Sequence, residues 1–471
     1  MKPSALPRRW LLRGLVVAVI LLLLTPSVIS AATYEAQDSA LRAGAIRQPA
    51  NGTTVVGVQG FHFRGKGATK KPARMVAFGP RGELQWRYNG TKAGARWFYD
   101  VDPLPSGNVL VSATNPDGTL VMAIDPDTQQ PVWIERLDIH DTHDVDLING
   151  DQLLIANMRN YNATTGRNND RVMIYNRSTD SVVWEWKFRN HGYTADGGGA
   201  YRGENDDWTH VNDVDKIGDG RYLVSPRNFD QVIVIDRETK NITRRLGTDD
   251  AHDIMHEQHN PQYLQSADGN PTILVADSEN DRIVEYAYRD GEWVQTWELG
   301  GPQVFSWPRD ADRLPNGNTL VVDSLNHRVI EVTPTGRIVW EVYAPWGTYD
   351  AERIAYGDEG ASAGDLPTIA DMNASGTYTV TGSAGLVPGT GDRLTFAQRL
   401  VRTFAGTPLE SQARWFASRW AHIAPWIYPV WMSGWDFLWA LLAGIILAGW
   451  IATEAVFNRH RLRERYRRHL S

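Results

Sequence analysis

Tyr99, His143, Asn212, His259 and Arg309 each stand immediately before the start of one of five similar phrases in this 471-residue chain, and they are chemically unlike one another. Positions that serve packing recur with one residue type, as Arg171, Arg282 and Arg328 do at the head of the third apolar run of their phrases; those arginines read as architectural. A phenol, two imidazoles, an amide and a guanidinium at equivalent positions have no packing rationale. Gathered on one axis, they would bind a small anion and exchange protons near neutral pH. His210, two residues before Asn212, is expected to share that axis, and Arg227 closes the second run of the same phrase with a fixed positive charge. His140, His252 and His256 fall outside the equivalent positions and read as histidines that satisfy backbone carbonyls. The chain has no cysteine, which removes thiolate nucleophiles, thiolate metal ligands and disulfides together.

The element that must position these residues is a repeat of four short strands. It runs from DVDPLPSGNVLVSA to VWIERL, from DVDLINGDQLLIAN to VVWEWKF, from DVDKIGDGRYLVSP to ITRRLG, from NPQYLQSADGNPTILVAD to VQTWELG, and from DADRLPNGNTLVVD to IVWEV. The starts at Asp100, Asp144, Asp213, Asn260 and Asp310 lie roughly 45 residues apart, the spacing of propeller blades, with a Gly-rich insertion at 189–207 in the one longer interval. A sixth blade is expected to be split, with outer strands from 73–88 (ARMVAFGPRGELQWRY) and inner strands from 368–383 (TIADMNASGTYTVTGS). Such closure leaves no sheet edge at the seam. The predicted fold is therefore all-β, a six-bladed β-propeller over residues 50–385. The first strand of every blade lines its channel, so distant residues converge there.

The ends differ from this middle. Arg8, Arg9 and Arg13 precede an apolar run from Gly14 to Leu24 and small residues to Ala32, the pattern of a signal anchor or signal peptide over 1–32. The stretch 434–457 is long and apolar enough for a transmembrane helix. Trp431, Trp435 and Trp439 flank it on one side and a basic tail, 458–471, on the other, which predicts a cytoplasmic C terminus. The same rule places the N terminus inside, unless its segment is cleaved, and the propeller on the extracytoplasmic side. Six N-x-S/T triplets, beginning at Asn51, Asn89, Asn162, Asn176, Asn241 and Asn373, all fall in that outer part and are consistent with a glycoprotein. Between propeller and helix, 390–433 reads as an amphipathic juxtamembrane segment that lies on the membrane or packs on the propeller rim. A net charge of −7 with both signs interspersed gives no reason to expect nucleic acid.

The phrases TH-DVD at 142–146, WTHVND with SPRN at 208–228, and EQH at 257–259 resemble the histidine motifs of the arylsulfate sulfotransferases. These are six-bladed propellers that move a sulfuryl group between phenols without a nucleotide donor. The resemblance covers about 100–345 and implies that His259 is the nucleophile, with His210, Asn212, Arg227 and His143 on the sulfate or phenolic oxygen. With the repeat positions and the resemblance taken together, His143, His210, Arg227 and His259 are expected to be catalytic, and Tyr99, Asn212, Gln258 and Arg309 to bind substrate. The partners would be a small aryl sulfate donor and a phenolic or glycan acceptor, with no cofactor and no metal. The chemistry is sound: a neutral imidazole can hold the group covalently, a guanidinium neutralises its oxygens, and a second imidazole carries the proton. GFHFRGKG at 60–67 lacks the final Ser/Thr of a phosphate loop and any helix to follow. Two other readings stay open. One is a non-catalytic surface propeller that binds a glycan or protein. The other rests on DSLNHRVIEV at 323–332, which resembles the strand phrase of NHL-type propellers, some of them metal-dependent lyases, and makes the axial histidines metal ligands.

Overall fold

The computed structural model describes residues 8–33, 41–60, 73–198, 207–301, 304–357, 365–386, 395–429 and 432–458. The phosphate-loop-like stretch beyond Gly60, residues 199–206 of the Gly-rich insertion, Trp431 and the basic tail from 459 lie outside the described residues. The chain forms two compact units, Gln37–Leu394 and, together, Met1–Ala36 with Thr395–Ser471.

The first unit is a six-bladed propeller built of antiparallel meanders. Blade 1 runs from Trp97–Pro103 to Gln130–Leu137, blade 2 from Val145–Ile148 to Ser181–Lys187, and blade 3 from Val211–Lys216 to Ile242–Gly247. Blade 4 runs from His259–Gln265 to Glu292–Gly300 and blade 5 from Pro308–Arg313 to Ile338–Tyr343. Blade 6 is the split one. Its innermost strand is Thr348–Arg353, and Thr54–Val58, Arg74–Phe78 and Leu84–Tyr88 follow outward. The outer half matches expectation, but the inner strands do not come from 368–383. Within that segment Gly376–Tyr378 instead adds a parallel fifth strand at the outer edge of blade 4. The reason is register: TYDAER at 348–353 carries the Tyr-Asp-x-acid start seen in YDVD at 99–102, and it needs no long excursion to reach the axis.

Burial explains the strand sequences. Continuous apolar runs such as VIVI in Gln231–Asp236 are wholly buried because each blade is covered on both faces. Six apolar clusters fill the six gaps between neighbouring blades, the one between blades 6 and 1 included, so the ring is closed. The fourth-strand tryptophans clasp the ring from outside. Trp186, Trp297 and Trp340 each donate an indole N–H to a carbonyl in a turn of the next blade, at Lys240, Pro334 and Pro80, at 2.8–3.1 Å.

At the axis the Asp-x-Asp starts are stitches. Asp350 accepts the Val101 N–H at 2.7 Å, Asp100 that of Val145 at 3.3 Å, Asp144 that of Val214, and Asp310 that of Ala351 at 3.3 Å. Each joins one blade's innermost strand to the next, and hydrogen bonds to charged groups contribute about 1.5–3 kcal/mol apiece where the acceptor stays ionised. Burial and the neighbouring Asp100, Asp213 and Asp146 push the Asp144 carboxyl well up.

The second unit is helical. Helix α1 (Arg8–Thr33) and helix α4 (Gly434–Phe457) are both long and apolar enough to cross a membrane. They run antiparallel: Arg13 makes a two-pronged pair with Glu454 at 2.6–2.7 Å, and Ser30 donates to Asp436 at 2.8 Å near the opposite ends. Between them α2 (Phe396–Phe404) and α3 (Glu410–Ile427) pack through Ala397, Val401 and Ala417. The 390–433 segment is thus two helices where described.

Candidate functional site

Every axial residue named from the repeat sits at the head of its blade's innermost strand, and blade 6 contributes Tyr349 at the matching place. Their rings form a contiguous wall. His143 lies 4.0 Å from Tyr99, 5.1 Å from His210 and 5.3 Å from Tyr349 between ring centroids, and Tyr349 lies 6.0 Å from His259. His143, His210, Asn212, Arg227, His259 and Arg309 are all buried.

A backbone device repeated through blades 3, 4 and 5 places these side chains. A short 3₁₀ turn follows the second strand and ends on a left-handed residue, Asp230, Asp281 or His327. The side chain of that residue accepts the N–H of Glu257, Trp307 or Gly347, at 2.8, 2.8 and 3.1 Å. Those three also have positive φ, and each stands two residues before an axial residue: His259, Arg309 and Tyr349. Left-handed non-glycine residues cost on the order of 1–3 kcal/mol and persist where surroundings over-determine them. Here the constraint aims the axial side chains. Asp141, also left-handed, stands two residues before His143.

Hydrogen bonds fix the imidazole tautomers. His259 Nδ1 faces the Glu257 carbonyl at 3.2 Å and Ser278 Oγ at 2.8 Å. Ser278 spends its hydrogen on the Pro308 carbonyl at 2.7 Å, and a carbonyl only accepts, so Nδ1 carries the proton and Nε2 the lone pair. His210 Nδ1 likewise donates to Asp207 at 2.8 Å, leaving a buried Nε2 without a hydrogen-bond partner. His143 is the reverse. Its Nδ1 accepts from the Tyr349 hydroxyl at 2.9 Å, and its Nε2 points toward Asp141 at 3.7 Å, an ion-pair rather than a hydrogen-bond distance.

Electrostatics separate the three. Burial, then Arg309 and Arg227, pull the His259 pKa well below its usual value; burial, Arg227 and His143 do the same to His210. His143 falls less, because Asp141 opposes its burial. Burial pushes the Asp141 carboxyl up, but His143, Arg159 and the Tyr99 hydroxyl outweigh it and hold it well below the usual range. Tyr99 donates to Asp141 at 2.7 Å, and Arg159 bridges Asp141 at 2.8 Å and Asp207 at 3.3 Å. Both Tyr99 and Tyr349 are held as phenols by burial.

Asn212 donates to the Gln258 carbonyl at 2.9 Å, and Arg227 pairs with Glu257 at 3.3 Å. Gln258 is not part of the wall: its amide donates to Ser225 at 3.0 Å and the Gln231 carbonyl at 2.6 Å, between strands. Tyr349, Asp141, Arg159, Asp207 and Ser278 were not singled out from sequence. Tyr349 had a signal in TYDAER; the others depend on loops whose ends meet only in the ring. His252 and His256 stack on each other at 3.8 Å beside Asp230, off the axis. Among the described residues no three His, Asp or Glu side chains are grouped to hold a metal ion.

Residues 58–260 match the family model described as arylsulfotransferase (ASST), a stretch that includes Tyr99, His143, His210, Asn212, Arg227 and His259 but not Arg309 or Tyr349. No curated protein matches the sequence. Among solved structures, a protein of unknown function from Bacteroides caccae is similar at 12% identity and a TM-score of 0.42, over 64% of this chain and 98% of that one. A putative 6-phosphogluconolactonase from Bacteroides fragilis matches at 12% and 0.41, over 65% and 98%. A catalytically inactive virginiamycin B lyase from Staphylococcus aureus with quinupristin matches at 12% and 0.39, over 64% and 88%.

Proposed function

We infer, from the match of residues 58–260 to the arylsulfotransferase (ASST) family model, that this protein moves a sulfuryl group from an aryl sulfate to a phenolic or glycan acceptor through a sulfo-histidine on His259. The observation that carries the reading is the tautomer: His259 is a buried, neutral imidazole whose Nδ1–H is spent on Ser278 and Glu257, so its Nε2 lone pair is the nucleophile. Nε2 attacks sulfur, the S–O bond to the aryl group breaks with its electron pair, and Arg227 with Asn212 holds the sulfuryl oxygens. The departing phenolate takes a proton. An acceptor phenol later gives one up and attacks sulfur, and the N–S electron pair returns to Nε2. That proton is exchanged through the Tyr349 hydroxyl with His143, which gives it as the imidazolium that Asp141 supports against burial and is left neutral, its Nδ1 accepting from Tyr349, until the acceptor phenol returns it; burial and Arg227 pull the His210 pKa further down. His210 keeps its lone pair for the acceptor's O–H, and Tyr99 borders the aryl ring.

The antiparallel α1–α4 pair supports a membrane-anchored reading in which both chain ends are cytoplasmic and the propeller is extracytoplasmic, with 390–433 as the juxtamembrane part. The site needs no cofactor in this scheme. The test is to incubate the full-length protein with nitrophenyl sulfate and phenol: phenol-dependent release that His259→Ala abolishes, with a sulfated peptide containing His259 after donor alone, is the expected result. Release unchanged in His259→Ala, or dependent on an added metal, would overturn it.

A further inference from the structure

Several arginines in this propeller meet carboxylates. Arg282 meets Asp277 and Glu298, Arg313 meets Glu285, Arg328 meets Asp323 and Glu341, and Arg353 meets Glu331, all within 3.1 Å. Arg227, in the site itself, has Glu257. Arg309 differs from these. It is 5% exposed, yet among the described residues its guanidinium touches only neutral groups: Gln59 Oε1 at 2.6 Å, the face of Trp307 at 4.1 Å and that of Tyr349 at 4.9 Å. Its Nε is buried without a hydrogen-bond partner.

A guanidinium held out of water without a counter-ion is costly, and removing it in favour of an apolar side chain is often stabilising. Retaining one is understandable where an anion arrives. The place for that anion is given by the shared walls: Trp307 and Tyr349, which flank Arg309, also lie edge-on to His259, at 6.2 and 6.0 Å between centroids. The Pro308 carbonyl, next in chain to Arg309, receives the Ser278 hydroxyl that orients His259. The two residues are thus coupled by one short chain of contacts across the blade 4–blade 5 gap.

Building on the sulfuryl-transfer reading, we propose that Arg309 is the principal anion anchor of the channel, the cation that takes the sulfonate oxygens of the group on His259 Nε2, with Arg227 in a secondary place because Glu257 already offsets its charge. In the covalent state the imidazole ring bears a positive charge and the sulfonate a negative one, so Arg309 gains a permanent counter-ion while the N–S bond lasts. When the group leaves for the acceptor oxygen, the unpaired charge returns, which draws the next donor anion in. Burial, and Arg309 before Arg227, depresses the His259 pKa, in keeping with this order of proximity. Arg309 lies beyond the stretch that matches the family model, so its role belongs to this chain's own reading.

The test is calorimetric binding of an aryl sulfonate, whose carbon–sulfur bond cannot be transferred, to the full-length detergent-solubilised protein and to Arg309→Met, Arg309→Lys and Arg227→Met. The expected result is that Arg309→Met weakens sulfonate binding about 30-fold, as loss of a charge-assisted hydrogen-bond pair does, while Arg227→Met weakens it less and Arg309→Lys recovers part. Arg309→Met should also melt no lower than wild type, which separates lost recognition from lost folding. Binding by Arg309→Met within about twofold of wild type would overturn the proposal, as would a larger loss in Arg227→Met. If the wild type binds sulfonate through Arg309 but neither releases phenol nor forms an adduct, the transfer reading fails and the anchor stands.

Discussion

Arg328 and Arg309 sit on the same blade, one at the head of its third strand and one at the head of its first, and both are almost wholly buried. Arg328 spans Asp323 at 2.8 Å and Glu341 at 3.1 Å. The same bridge recurs in blade 4, where Arg282 joins Asp277 to Glu298, and in blade 2, where Arg171 joins Asn157 to Glu185. Arg309 has aromatic faces and one amide oxygen. A repeat thus separates its two tasks by position: what recurs with its partners ties second, third and fourth strands together, and what varies from blade to blade faces the channel. Burial alone would not tell them apart, and neither would residue type.

Removing each of the two charges should affect stability in opposite ways. Arg328→Met leaves two carboxylates buried without their cation and should cost about 3–5 kcal/mol of stability, whereas Arg309→Met should stay within about 1 kcal/mol of wild type or gain. Denaturant midpoints of the two variants check it, and equal losses would erase the distinction. A step smaller is Asp141→Asn, which keeps the shape of the Tyr99–Asp141–Arg159 contacts but removes the charge that supports protonated His143. Turnover of unactivated phenyl sulfate should fall about 100-fold, as for loss of general acid–base catalysis, while that of nitrophenyl sulfate, whose leaving group needs no proton, changes little. Smaller again is Ser278→Ala. The Glu257 carbonyl still holds the tautomer, so a loss of aim alone should slow adduct formation about tenfold, read by single-turnover phenol release.

The blades from 100 to 345 were legible in the sequence because each carries its own start, turn and apolar runs, and each axial residue named from them stands at or just before its blade's innermost strand. The split blade was legible only in its outer half. TIADMNAS at 368–375 has an acidic residue after an apolar pair, much as a blade start does, but its role is to lead into an edge strand on blade 4. The sixth axial residue, Tyr349, lies instead in Thr348–Arg353. Gln258 stands beside His259 in sequence, yet it precedes the strand His259–Gln265 and its side chain goes between blades. The helpers Asp141, Asp207 and Ser278 could not be read, since each acts from a loop whose distance to the axis is set by the ring as a whole.

The smallest expected effect is the most direct probe of Arg309 without Arg309 being the nucleophile's partner in any hydrogen bond. Because burial and the two guanidiniums depress the His259 pKa, its Nε2 stays unprotonated through pH values at which an ordinary histidine loses its lone pair. Donor-alone phenol release should therefore change by less than about twofold between pH 8 and pH 6, where an imidazole of pKa about 6.5 would lose about fourfold. The linkage has the matching sign: below about pH 6.5 the unfolded chain binds a proton that folded His259 refuses, so this residue's contribution to stability declines as pH falls through that range. Arg309→Met removes the larger of the two charge effects, lets the pKa rise, and should bring the fall in rate to a higher pH than in wild type. Arg328→Lys, a charge-preserving change outside the channel, should leave the profile where it was, and a profile shifted equally by both variants would mean that the field at His259 comes from the whole ring rather than from Arg309.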